Sequence, residues 1–227
     1  MIGLYKRVLI TLVLLGGTGL INSTAVAQNP DNIDGLGDLN YWTQQCYKLR
    51  GTQGLEACDR AIEIQQDNPI LWTTRGAILH RDLNKSSEAL TYHNHALELD
   101  RDNSLAWYNR CTTLNNLRRY EEAVTSCEYS LLGDGNWGDG EPYLAWIAKG
   151  VGLRRWGRYD QAVEAYNEAI ALKPDELTAW NNKGVALYKS GRYLEALDAF
   201  ETALEIDVDD LVAQQNRDLA LQRLGKL

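Results

Sequence analysis

Four cysteines, Cys46, Cys58, Cys111 and Cys127, are the residues of this protein best equipped for covalent chemistry. Outside the cytosol they would form disulfides, and in a reducing compartment they would pack as small hydrophobes. A zinc site is disfavoured, because no Cys-x2-Cys pair occurs and no His lies close to a Cys in sequence. His93 and His95 are two residues apart, so on a helix they point in different directions and do not share a metal. The run Asp134-Gly135-Asn136-Trp137-Gly138-Asp139-Gly140-Glu141-Pro142 gathers carboxylates that could ligate Ca²⁺, but without the spacing of an EF-hand. It reads as a glycine-rich loop, with Trp137 as an exposed partner contact. No nucleophile motif, phosphate-cradling loop or metal triad is present, so neither an enzyme nor a cofactor is expected.

The composition fits a folded, globular protein. Of 227 residues, 44% are hydrophobic and 24% charged, which excludes disorder and a polytopic membrane protein. The formal charge is −8, and an acidic surface of this kind does not neutralise nucleic-acid phosphates. Residues 1–27 read as a secretory signal peptide. Lys6 and Arg7 come first, Val8–Ile21 is apolar, and Ala25-Val26-Ala27 makes a small-residue cleavage site. The apolar run is about 14 residues, short of the roughly 20 that span a bilayer. Cleavage, rather than retention as an anchor, is therefore the expectation. Residues 28–37 read as a flexible lead-in. Export would place the protein in a periplasm, a thylakoid lumen or the extracellular space, with no further membrane insertion.

The elements that position these residues follow from a repeat. Trp42, Trp72, Trp107, Trp146 and Trp180 head similar segments at spacings of 30, 35, 39 and 34. One segment reads Trp146, Lys149-Gly150, Leu153, Gly157, Tyr159, Ala162, Tyr166, Ala169 and Pro174. The next reads Trp180, Lys183-Gly184, Leu187, Gly191, Tyr193, Ala196, Phe200, Ala203 and Val208. Trp, a small residue and Leu at i, i+4 and i+7 make one face of a helix, and a second helix follows with the same period. The pattern resembles the tetratricopeptide repeat, a helix-turn-helix unit of about 34 residues. Two departures stand out. Gln45, Arg75, Arg110, Lys149 and Lys183 occupy the place of the first Leu, and Pro174 alone keeps the terminal proline.

The resemblance implies an all-α fold, a right-handed superhelical α-solenoid. Five repeats would span about 38–68, 69–103, 104–137, 143–176 and 177–210. A capping helix at 211–227 would close the stack with a polar face made by Gln214, Gln215, Gln222 and Arg223. Repeat two carries one extra residue in its turn, around Asp82–Ser87. Glu195, Asp198, Glu201 and Glu205 fall on a solvated face.

Aligned on the repeat, Cys46 and Cys111 take the slot filled elsewhere by Gly76, Gly150 and Gly184. Cys58 and Cys127 take the second-helix slot of His93, Tyr166 and Phe200. The two slots face each other in an antiparallel helix pair, so the expected disulfides are Cys46–Cys58 and Cys111–Cys127.

In this family the first helices line a concave groove that holds peptides or partner helices. Carried over by position, that groove comprises Thr73, Thr74, Ala77, His80 and Arg81 in repeat two. Repeat three adds Tyr108, Asn109, Thr112, Asn115 and Asn116, and repeat four adds Ile147, Ala148, Val151, Arg154 and Arg155. Repeat five contributes Asn181, Asn182, Val185, Tyr188 and Lys189, and the cap Gln215, Asn216, Leu219, Gln222 and Arg223. None is acidic, although the sequence holds 31 acids, and five are Arg or Lys. Such a surface suits an acidic protein segment or a C-terminal carboxylate. The implied role is an exported scaffold or adaptor that assists assembly of a periplasmic or membrane-associated complex. Two other roles follow from the same residues: a structural subunit docked by its convex face or Trp137 loop, and a Ca²⁺-regulated module.

Overall fold

The computed structural model describes residues 38–138 and 140–226. The signal-peptide and lead-in segments, 1–37, lie outside the described residues, as do Asp139 and Leu227. Eleven helices and no strands make up the described part. They are α1 (Leu39–Lys48), α2 (Gly51–Ile64), α3 (Pro69–Arg81), α4 (Ser86–Leu99), α5 (Ser104–Asn116) and α6 (Tyr120–Leu132). After the 133–141 loop come α7 (Pro142–Arg155), α8 (Tyr159–Leu172), α9 (Leu177–Lys189), α10 (Tyr193–Ile206) and α11 (Leu211–Arg223).

Odd and even helices begin differently, and the sequence gives the reason. Asp38, Asn68, Asn103, Glu176 and Asp210 each accept a backbone N–H of the odd helix that follows, which satisfies donors orphaned at a helix start. Even helices start instead from tight turns. Asn84, Arg118, Gly157 and Gly191 hold positive φ there. The α3–α4 turn covers Asp82–Lys85, one residue longer than the three-residue turns that precede α6, α8 and α10.

Small residues set the distance between the helices of a pair. A Cβ on Gly184 would stand 2.5 Å from Phe200 Cε1, and one on Gly150 would stand 2.5 Å from Tyr166 Cε1. Phe200 and Tyr166 are fully buried against those glycines. In the first and third pairs the same contact is covalent. Cys46–Cys58 and Cys111–Cys127 are disulfides, with Cα separations of 4.6 and 5.3 Å, and all four sulfurs are buried. Exposure of Glu195, Asp198, Glu201 and Glu205 follows from the opposite face of α10.

Pairs are tied to one another by a repeated bond. The indole N–H groups of Trp72, Trp107 and Trp180 donate to the carbonyls of Gln66, Arg101 and Pro174, each six residues back, at 2.7–2.8 Å. In α11, Gln214 makes the same bond to Val208 at 2.7 Å with its amide. The cations that replace the first Leu also act between pairs. Arg75 pairs with Asp59 of α2 and stacks on Tyr92, Arg110 donates to Asn94 of α4, and Lys149 pairs with Glu128 of α6 at 3.0 Å. Lys149 and Lys183 also lie over the rings of Trp146 and Trp180. The departure from the family pattern is therefore a set of contacts that the usual Leu does not make.

His93 fills the aromatic slot against Gly76 with both ring nitrogens buried and without a protein partner. Burial, reinforced by the charges of Arg110 and Arg81, drives its pKa from 6.5 down to about 3. Below pH 6.5 the unfolded state takes up a proton that the folded one refuses, so stability falls with pH across the window from 6.5 to about 3. At pH 5 the loss is about 2 kcal/mol relative to neutral pH. His93→Phe, which borrows the residue of the Phe200 slot, should remove most of that slope in urea melts at pH 5 and 7.5, and the remainder belongs to His80, whose pKa burial also lowers.

Candidate functional site

The helix contacts define which side of the array is concave. Each odd helix touches the next odd helix, from α1·α3 through to α9·α11, whereas among the described residues no two even helices touch. Elements close together on one side and splayed on the other make a curve, with the odd helices on its inside.

The groove residues named from the repeat fall into three groups. Arg81, Asn116, Arg155, Lys189, Gln215, Leu219, Gln222 and Arg223 are exposed. Thr74, His80, Tyr108, Thr112, Ile147, Val151, Arg154, Asn181, Asn182, Val185, Tyr188 and Asn216 are half-buried. Thr73, Ala77, Asn109, Asn115 and Ala148 are buried and do not present a surface.

Several of the amides are already bonded within the stack. Asn115 donates to the Ala148 carbonyl at 2.9 Å and so joins α5 to α7, while Asn109 donates to Leu105 of its own helix. Asn116 donates to Ser86 Oγ at 2.8 Å, and His80 Nδ1 shares that hydroxyl at 3.0 Å. Asn216 donates to Asn181 at 2.8 Å, and Arg223 Nε donates to the Tyr188 hydroxyl at 3.0 Å. A ladder of free amides along the groove is thus not what these residues form. Asn182 makes no side-chain hydrogen bond among the described residues.

Ion pairs lie outside the groove. Arg60, Arg75, Lys85, Arg119, Lys149, Lys173, Arg192 and Arg217 each pair with a carboxylate. The five groove cations, Arg81, Arg154, Arg155, Lys189 and Arg223, form no ion pair among the described residues. Burial pushes the Tyr108 phenol upward, with Arg81 partly opposing the rise, and it lowers the His80 pKa with help from Arg81. Both rings are therefore neutral at pH 7. The cap helix adds an acid that the repeat positions did not include, Asp218, next to Gln215, Leu219 and Gln222, but Arg217 pairs with it at 2.8 Å. That helix also exposes Leu211, Val212 and Leu219, so its exposed surface is less polar than its glutamines suggest.

Two expectations about the 133–141 loop change. Trp137 is half-buried, not exposed, because the loop folds back on the start of α5. Asp134 directs that fold. Its carboxylate accepts the backbone N–H groups of Ser104 and Asn136 at 3.0 and 2.9 Å, and its own N–H donates to Asp102. An acid at a helix N-terminus with two amide donors already has a structural role. On the outer side, a cleft of about 300 Å³ between α6, α7 and α8 is lined by Trp146, Lys149, Leu153 and Glu128, apart from the groove.

An array of antiparallel helix pairs, curved so that one helix of each pair forms an inner wall, defines an α-solenoid. A tetratricopeptide repeat family model matches residues 147–210. That match covers the fourth and fifth helix pairs, and the eleven described helices together have the arrangement of a tetratricopeptide-repeat solenoid. The protein is similar to PilW, a widely conserved type IV pilus biogenesis factor, at TM-score 0.73 and 19% identity, over 83% of this chain and 86% of that one. It is similar to YrrB, a TPR protein with an unusual peptide-binding site, at TM-score 0.61 and 23% identity, over 76% of this chain and 86% of that one. MamA from Desulfovibrio magneticus RS-1 matches at TM-score 0.65 and 18% identity, over 78% and 98%. No curated protein sequence matches it. At these identities the likeness concerns the fold.

Proposed function

We propose that this protein is an exported interaction scaffold whose concave groove holds a carboxylate-bearing segment of a protein partner. The observation that carries the reading is the sign of the groove: its named positions hold five cations and no acid on a protein of formal charge −8, and none of the five forms an ion pair among the described residues. A cation held without a counter-charge on a concave wall is a ready partner for an anionic segment, with arginine able to grip a carboxylate by two bonds. Two buried disulfides, in a protein that opens with a signal-like segment, support a compartment outside the cytosol. The likeness to a pilus biogenesis factor and to a TPR protein with a peptide-binding site supports binding and assembly, rather than catalysis, as the role.

Crosslinking pull-down from the native compartment tests this. Replacing Arg154 and Arg155 together by Glu should reduce capture of the partner by about tenfold or more, since two attractive contacts become repulsive. Trp137→Ala should leave capture unchanged. Undiminished capture by the double Glu variant would exclude the groove. Loss of capture on Trp137→Ala alone would instead favour docking through the loop.

A further inference from the structure

We propose that the cleft on the outer side of the fourth helix pair binds a tyrosine side chain of a protein partner, with a basic residue beside that tyrosine. The site is separate from the groove and does not depend on it. Its ligand is indicated by the way the second and third pairs cover their tryptophans. In the second pair, Tyr92 of α4 stacks on Trp72 with ring centroids 6.0 Å apart, and Arg75 lies 4.0 Å over Tyr92. Asp59 of the preceding pair holds Arg75 in turn. In the third pair, Tyr129 of α6 stacks on Trp107 at 4.7 Å.

The fourth pair has the same frame without the ring. Trp146, Lys149 and Glu128 stand in the places of Trp72, Arg75 and Asp59, and Lys149 pairs with Glu128 at 3.0 Å. Aligned on the repeat, the position of Tyr92 is Ala165 and that of Tyr129 is Glu168. Neither supplies a ring. The space that a phenol fills in the other pairs is here a cleft of about 300 Å³, and Trp146, Lys149, Ala165 and Glu168 all line it. A volume of that size takes one aromatic side chain. The fifth pair also lacks the ring, with Ala199 and Thr202 at these positions, but Asn167 replaces Glu128 there and the frame is incomplete.

A ring supplied by a partner would bury the face of Trp146 in an offset stack and meet the Lys149 ammonium, as Tyr92 meets Arg75. Both internal precedents are tyrosine, whose hydroxyl can stay at a polar rim while the ring lies on an apolar floor. The rim also selects the neighbouring residue. Gln161, Glu164, Ala165 and Glu168 recur at i, i+3, i+4 and i+7, on one face of α8. Glu164 and Glu168 are exposed and form no ion pair among the described residues. Glu128 is already engaged by Lys149, and Arg158, also at the rim, lies over Trp156 at 3.6 Å. The unneutralised charge at the mouth is therefore acidic, and a lysine or arginine next to the tyrosine complements it.

Titration of the ¹⁵N-labelled protein with the peptide acetyl-Lys-Tyr-Lys-amide tests the proposal. The readout is the indole N–H signal of Trp146, identified by its loss in Trp146→Phe. That signal should move and saturate. Acetyl-Lys-Ala-Lys-amide should bind about tenfold more weakly, and acetyl-Glu-Tyr-Glu-amide about fivefold more weakly. Glu168→Tyr puts a ring where the third pair has Tyr129, at an exposed position where folding should be undisturbed, and it should abolish binding. Glu168→Gln removes the charge alone and should weaken binding by only about threefold. If the tyrosine and alanine peptides bind alike, or Glu168→Tyr binds as well as the natural protein, the cleft takes no ring and the proposal falls. If the natural protein self-associates and Glu168→Tyr dissolves the assembly, the ring comes from a second copy and the separate partner falls. Each of these results leaves the groove reading standing, because Arg154 and Arg155 take no part in the cleft.

Discussion

Gly184→Val should cost the fifth helix pair about 3 kcal/mol, an effect at the upper end of what overpacking a core produces. In a solvated helix the change from glycine to a residue with a Cβ is favourable, by about 1 kcal/mol for alanine. Here the sign reverses, because the new Cβ would stand 2.5 Å from Phe200 Cε1, 2.7 Å from Cδ1 and 2.9 Å from Cζ. The ring has no room to retreat. Phe200 is 1% exposed, with Leu187, Ala196, Ala199 and Ala203 buried in the same region. The helices must move apart instead, which also loosens their contacts with α8 and α11. Gly184→Ala should lose less, about 1–2 kcal/mol, since one methyl asks for a smaller shift. Pairing Gly184→Ala with Phe200→Leu removes the atoms that clash and should recover part of the loss. Urea melts followed by circular dichroism read all three. A Gly184→Val protein as stable as the natural one would mean that α9 and α10 are not held at this distance.

The facing of Gly184 and Phe200 is legible from the amino-acid sequence alone, and so is that of each cysteine pair. All of them depend on local periodicity, which puts equivalent residues in equivalent places. What the sequence hides depends on partners far away along the backbone. Arg75, Arg110 and Lys149 look like departures from a pattern until Asp59, Asn94 and Glu128, from the preceding pair, are seen beside them. Asn115 has the right position to meet a ligand, but the Ala148 carbonyl, 33 residues on, already takes its amide hydrogen. Tyr166 aligns with Phe200 as a slot-filling ring, and nothing in the alignment says where its hydroxyl goes. Trp137 reads as exposed because its neighbours are glycine and acid, whereas Asp134 bends the loop onto α5. Position within a repeat is a local property and can be read. Whether a side group there is free is settled by its neighbours in space.

Loss of the Cys111–Cys127 bond should divide the array, whereas loss of Cys46–Cys58 should only fray its end. The bridges close loops of similar length, with sequence separations of 16 and 12, so each should contribute about 3 kcal/mol to its own pair. Their places in the stack make the consequences differ. A solenoid is stable through nearest-neighbour interfaces, so a weakened terminal pair opens without affecting the rest. A weakened third pair has neighbours on both sides, and its opening separates α1–α4 from α7–α11. Cys111→Ala with Cys127→Ala should therefore broaden thermal unfolding into two steps, while Cys46→Ala with Cys58→Ala should leave the main transition in place with a small early phase. The oxidised protein should react with no alkylating reagent, even when denatured, and four modified thiols would refute both bonds. A third variant separates the bond from the contact it makes. Cys111→Gly with Cys127→Phe reproduces the pairing of Gly184 and Phe200 without a covalent link. If close approach contributes apart from the bridge, this variant should be more stable than the double alanine, with a single sharper transition. Equal stability would assign the whole effect to the bond.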